Sequence, residues 1–260
     1  MTIPDLTQDE DRGGALAGAA LSVRGLRKAF GPRLVLDGVD LEVRRGEMVA
    51  ILGANGSGKS TILRCVVGLV EPDAGTVRLH GRPTSAARRE AAMIFQQIHL
   101  VRRLSALDNV CCGALGRLAT SRSLVRMLFP AEVREEAMAC LQRVGLADRA
   151  AERASRLSGG QQQRVAIARA LCQRASVLLA DEPVSALDPA AADSVLRLLR
   201  DLAHDDGLAV ATVLHQPELA RLYADRVVGV LGGRVVFDAP PQEVDLEAVG
   251  ALYMAPEEPT

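Results

Sequence analysis

The sequence predicts an α/β fold: a buried parallel sheet, an antiparallel β subdomain beside it, and a helical subdomain inserted into the chain. Three observations carry this prediction. Short apolar runs bounded by turn residues occur at Met48–Leu52, 176–180 and 208–214, the pattern of strands covered on both faces. Residues 20–48 alternate instead, as in Leu21-Ser22-Val23 and through 35–43, the pattern of half-exposed antiparallel strands. From about 97 to 172 strand signals vanish and apolar residues recur at helical spacing, most clearly over 131–141.

Residues 1 to about 19 lack periodicity, are rich in Gly, Ala and acids, and read as a disordered tail. The run at 48–52 ends on glycine, and 60–70 continues as a helix. Residues 75–81 form a short strand between turns. After the helical subdomain come a strand at 176–180, a helix over Pro189–His204 and a strand at 208–214. Gly232-Gly233, between apolar segments 227–231 and 234–237, signals a hairpin. The domain therefore spans 20–245, with 246–260 as a C-terminal tail and no internal repeat or second domain.

The totals narrow the function classes. The chain has 260 residues, is 48% hydrophobic and carries a net charge of -1, so it fills a large core and offers no bulk electrostatic attraction for nucleic acid. Aromatic residues make up 2% and Trp is absent, which argues against base-stacking platforms. Cys65, Cys111, Cys112, Cys140 and Cys172 form no C-x-x-C pair and read as small core residues in a reduced compartment. No apolar run reaches the ~18 residues of a membrane span, and the first residues, MTIPDLTQDEDRGG, are too acidic for a signal peptide. A membrane role would thus be exercised from the cytoplasmic side, through partners that span.

Gly53-Ala54-Asn55-Gly56-Ser57-Gly58-Lys59-Ser60 matches G-x-x-x-x-G-K-[ST]. The glycines let successive amides curl inward onto phosphate oxygens, and the following helix adds its positive end. Lys59 would reach the β- and γ-phosphates, Ser60 would ligate Mg²⁺, and Thr61 lies beside them. Alone, this loop specifies a nucleotide; kinases, GTPases and motors share it. Downstream, Asp181 and Glu182 end the apolar strand at 176–180. Neighbouring strand residues point to opposite faces, so the two acids need not do the same job. Asp181 would face the loop and hold Mg²⁺; Glu182, at the strand tip, would polarise an attacking water.

Leu157-Ser158-Gly159-Gly160-Gln161 lies just before a helical pattern that begins near Gln161, and offers a second helix N-terminus with open amides. This segment, continuing through Gln162-Gln163-Arg164-Val165-Ala166-Ile167-Ala168-Arg169-Ala170, resembles the ABC ATPase signature. The resemblance implies a P-loop NTPase core of the ABC type and a head-to-tail dimer, in which the signature of one copy closes on the γ-phosphate held by the other. It covers roughly residues 20–240. It also implies roles for further positions. Gln96, after Met93-Ile94-Phe95, resembles the loop glutamine that senses γ-phosphate and Mg²⁺ and couples to membrane subunits. Ser185-Ala186-Leu187-Asp188 resembles the dimer-contact loop, His215 the switch histidine, and Phe30 the aromatic that stacks on adenine.

The segment from Phe95 through Gln96, Gln97, Ile98 and His99 to Ser105, the stretch 113–129 and Leu214-His215-Gln216 resemble ATPase subunits of phosphonate importers. Pro217 departs from that subfamily, which has an apolar residue there. The resemblance implies two transmembrane permease subunits, a periplasmic or surface solute-binding protein, no nucleic acid, and residence on the cytoplasmic face of the inner membrane. Importers of phosphite or phosphate esters use similar subunits and stay open as alternatives. So does a soluble ABC ATPase, although the single ATPase half and the lack of a long heptad run weigh against it. A P-loop kinase leaves the signature and His215 unexplained.

Overall fold

The computed structural model describes residues 18–118, 129–244, 249–250 and 253. The expected tails fall largely outside these residues, as does 119–128 of the phosphonate-importer-like stretch. A twelve-residue strand, β1 (Ala19–Phe30), pairs antiparallel with β2 (Arg33–Arg44) and with β4 (Ala74–Leu79), and β5 (Arg82–Pro83) completes a four-stranded sheet in the order β2-β1-β4-β5. The second sheet holds β3 (Met48–Leu52), β6 (Ala91–Ile94), β7 (Val177–Asp181), β8 (Ala209–Val213), β9 (Arg226–Leu231) and β10 (Arg234–Ala239). Its order is β10-β9-β3-β8-β7-β6, parallel except for the antiparallel β10 edge.

Every residue of β3, β7 and β8 is buried, and their side chains alternate between two cores as the pleat requires. Met48, Ala50, Leu52, Leu178, Ala180 and Val210 face one apolar cluster, which continues into the helices. Val49, Ile51, Val177, Leu179, Ala211 and Val213 face the other, against the antiparallel sheet and α1 (Lys59–Val66). The 227–237 hairpin turns on Gly232 and Gly233, both at positive φ (54° and 74°), as a tight two-residue turn demands. Gly233 also admits no side chain, because a Cβ would stand 2.4 Å from the Val35 carbonyl oxygen. Its own carbonyl accepts from the Asp37 amide at 2.9 Å, tying the two sheets together.

The helical subdomain contains α2 (Ala106–Cys111), a 3-10 segment (Cys112–Arg117), α3 (Ala131–Arg143) and α4 (Gly159–Cys172), which pack on one another. Buried Asn109 pins the loop ahead of α2: its Oδ1 accepts from the Val101 amide at 2.8 Å and its Nδ2 donates to the Ser105 carbonyl at 2.9 Å. Helix α5 (Pro189–His204) follows β7, and α6 (Pro217–Tyr223) follows β8. Among the described residues no helix is long and apolar enough to cross a membrane.

Candidate active site

The buried strand β3 delivers the chain into the phosphate loop at Gly53, whose φ is 151°. A Cβ at Gly53 would lie 2.2 Å from the Val230 carbonyl oxygen, and one at Gly58 (φ 103°) would lie 2.6 Å from Leu36 Cδ2. Only glycine fits either place, so the loop curls tightly against both sheets. Gly58 caps α1 with no side chain, which leaves the first amides of that helix free for an anion. Buried Lys59 folds back over the loop and donates to the carbonyls of Gly53 (2.8 Å) and Ala54 (2.7 Å). Burial pulls its ammonium pKa down, opposed by the nearby Glu182 and Asp181 carboxylates.

Asp181 lies on the same face of β7 as Val177 and Leu179, toward α1, and its Oδ1 accepts from Ser60 Oγ at 2.8 Å. It is almost fully buried, and that burial holds its carboxyl pKa above the usual range, opposed by the Ser60 bond. A buried carboxylate and a hydroxyl, both hard oxygen donors meeting beside a phosphate loop, fit a magnesium ion.

Glu182 sits one residue past the strand in the left-handed region, at φ 49°. Such a conformation costs a non-glycine residue on the order of 1–3 kcal/mol and is held by its surroundings. Its carboxylate is gripped from two sides: Gln96 Nε2 donates to Oε2 at 2.8 Å, and His215 Nε2 lies 2.6 Å from Oε1. Gln96 comes from the loop after β6 and His215 from the end of β8, so three strand ends converge on one carboxylate. A cavity of about 250 Å³ runs from Phe30 and Arg33 past the loop to Lys59, Ser60, Thr61 and Glu182, with Asn55 and Gly56 on its wall. Phe30 is 50% exposed, with Lys28 Nζ 5.4 Å from its ring centroid. Arg33, the first residue of β2, lies near Gly56 and was not singled out by sequence; its only signal is a cation beside Gly31-Pro32.

The signature occupies a different surface. Ser158 caps α4, which starts at Gly159, two residues ahead of the sequence-based expectation. Its Oγ accepts from the Gln161 amide at 3.3 Å, while Gln161 Oε1 accepts from the Ser158 amide at 2.9 Å. This reciprocal capping box fixes the turn, and Leu157 is buried beneath it. A Cβ on Gly159 would stand 3.1 Å from Leu187 Cδ2, and one on Gly160 3.0 Å from Ala191 Cβ, so the two glycines let α4 press against the 185–188 loop and the start of α5. That loop hangs from the active strand: Ser185 Oγ donates to the Glu182 carbonyl at 3.2 Å, Leu187 N to Val184 O at 3.1 Å, and Asp188 caps α5 through the Ala191 amide at 2.9 Å. Ala186 completes it. Ser158 and Gly159 are exposed, and no signature residue lines the cavity beside the phosphate loop.

Comparison with known proteins agrees with this arrangement. The family model described as ABC transporter matches residues 36–185. The chain is 46% identical over 245 residues to the phosphonates import ATP-binding protein PhnC of Caulobacter vibrioides, covering 90% of this chain and 92% of the relative. It is 45% identical over 245 residues to the hypophosphite import ATP-binding protein HtxD of Stutzerimonas stutzeri, covering 91% and 72%. A solved dimer of the bacterial ABC transporter cassette MJ0796 superposes with a TM-score of 0.73 at 31% identity, covering 86% of this chain and all of that one. A nucleotide loop, an acidic strand end and a signature in this arrangement, matched over the larger part of the sequence, place the chain in the ABC transporter family as an ATP-hydrolysing cassette.

Proposed function

We propose that the chain powers an importer of phosphonates, coupling Mg-ATP binding and hydrolysis in a head-to-tail homodimer to solute uptake. The observation that carries the ATPase part is the Glu182 carboxylate, held by Gln96 and His215 beside the phosphate loop. On nucleotide entry Lys59 exchanges its two carbonyl partners for phosphate oxygens, a trade of neutral acceptors for charged ones. Ser60, Asp181 and Gln96 would hold Mg²⁺, which when bound offsets phosphate charge. His215 turns to the γ-phosphate, and Glu182 accepts a hydrogen bond from the attacking water and orients it in line. Phe30 offers its exposed ring to the adenine. Gly53, Asn55, Gly56, Ser57, Gly58 and Thr61 form the rest of the nucleotide seat.

The exposed signature supports the dimer. Ser158 and Gly159 are exposed, where the γ-phosphate of a second copy can meet them and the Gly160 amide, and residues 185–188 form the contact between copies. Two permease subunits and a solute-binding protein complete the assembly, with this chain peripheral on the cytoplasmic face of the inner membrane.

The relatives' names support the solute class: one is a phosphonates import protein, another a hypophosphite import protein. The hypophosphite relative favours, as a second reading, an importer of other small phosphorus oxyanions. Uptake by the assembled complex, measured with a panel of phosphonates, phosphite, hypophosphite and phosphate, separates the two. Preferred ATP-dependent uptake of phosphonates is expected; preferred uptake of an inorganic oxyanion moves the assignment to the second reading, and failure to move any phosphorus compound overturns both.

A further inference from the structure

The chain beyond β10 folds back over the helix that follows His215. Residues 241–243 pack against α6, and Val244 and Val249 are buried in the same core cluster, at 6% and 0% exposure. Tyr253 lies four residues past Val249 in the sequence and packs against that cluster. Its hydroxyl is shielded from solvent without a well-formed hydrogen bond. It faces the amide of Gly53, the first residue of the phosphate loop, with the Glu218 carboxylate of α6 as its neighbouring charge. Burial raises the phenol pKa, so the group is a neutral hydroxyl at working pH. A polar atom buried without a good partner is costly, and here it is aimed at the hinge between β3 and the loop that holds phosphate.

We propose that Tyr253 is a positioning residue for nucleotide binding, its hydroxyl seating the Gly53 amide when the loop closes on phosphate. Tyr253 then stands with its hydroxyl toward the start of the phosphate loop and its ring on the core cluster that includes Ala220 of α6, so it can hold the loop and the segment behind His215 in register. The proposal rests on the ATP-site reading given above.

The test uses the full chain with Tyr253→Phe, which keeps the ring and removes only the oxygen. Loss of one hydrogen bond predicts Mg-ADP affinity and KM for Mg-ATP weakened about two- to tenfold, with kcat and thermal midpoint held. Hydrogen exchange at the Gly53 amide, measured with Mg-ADP bound, should be faster than in the unsubstituted chain. Tyr253→Leu, which removes the ring as well, should add a drop in thermal midpoint. Unchanged affinity in both variants, or weakened affinity with unchanged exchange at Gly53, overturns the proposal. Lys59→Ala serves as control: if that variant still binds Mg-ADP tightly, the ATP-site reading itself fails, and exchange at Gly53 alone decides the Tyr253 contact.

Discussion

At the phosphate loop the charged side chains are already held by neighbours of the same chain; at the start of α4 Ser158 and Gly159 lie exposed at the surface. Lys59 lies on two loop carbonyls, Ser60 on Asp181, and Gln96 and His215 on Glu182. By contrast, the side chains of Ser158 and Gln161 each accept from the other's backbone amide. The amides of Gly159 and Gly160 begin a helix and have no intrahelical acceptor. The first region is a site parked on itself, and on the proposed reading its partners are traded when nucleotide arrives. The second, on the same reading, is half of a site that a second copy completes. If the roles proposed above hold, a single chain should idle, with Glu182 engaged by Gln96 and His215 and no signature residue lining its own cavity.

The sharpest way to break this comparison is to remove the acceptor on which the parked site converges. Glu182→Gln keeps the shape of the side chain but lacks the carboxylate that orients water, so turnover should fall about 10²–10⁴-fold while Mg-ATP still binds. The unspent nucleotide should then hold two chains together, which gel filtration with Mg-ATP reads directly. Turnover at the native rate would remove Glu182 from its role. A monomeric, ATP-loaded variant would instead break the second half of the comparison.

A smaller effect separates what Ser158 does for its helix from what it does for phosphate. Ser158→Ala removes the cap of α4 and should cost about 1 kcal/mol of stability, together with part of the turnover. Ser158→Asp restores the cap, since aspartate is as good an N-cap as serine, but sets a carboxylate where the proposed dimer brings the partner's γ-phosphate. The thermal midpoint should recover and ATPase activity should not. If the two recover together, the signature serine is a helix cap and nothing more.

How much of this was legible in the sequence follows from where each signal lives. Alternation along 176–182 directs Asp181 and Glu182 to opposite faces, and in the fold Asp181 meets Ser60 while Glu182 meets Gln96 and His215. The period of two holds as far as Asp181; Glu182 lies past the strand at φ 49°, so the turn rather than the pleat places it. The resemblance supplied residues that local chemistry could not connect, since Gln96, Glu182 and His215 stand on three separate strand ends. Three features stayed hidden. The positive φ of Glu182 depends on what surrounds it. Gln161 reads as part of an anion site, yet its side chain is spent on the capping box. Tyr253 sits in a segment without periodicity that reads as a tail, and its relation to Gly53 spans 200 residues of sequence, visible only once the sheet is assembled.

The parked site also carries a cost in stability that pH can expose. Burial holds the Asp181 carboxyl pKa above its ordinary range, so the folded, nucleotide-free chain keeps a proton there more readily than the unfolded chain does. For a pKa raised on folding, the stabilising proton is fully present below the unfolded pKa and is lost as pH rises through the folded one. At neutral pH the ionised Asp181 therefore weakens the empty protein, awaiting the cation its oxygens suit. Asp181→Asn keeps an acceptor for Ser60 without the charge. It should raise the thermal midpoint of the nucleotide-free chain at pH 7, by about 2–4 °C if the relief is about 1 kcal/mol, while Mg-ATP hydrolysis collapses. The gain should shrink below the unfolded carboxyl pKa, where the native residue is protonated in both states. A gain that persisted there would come from packing rather than charge. No gain at pH 7 would mean that the carboxylate is already compensated within the empty fold.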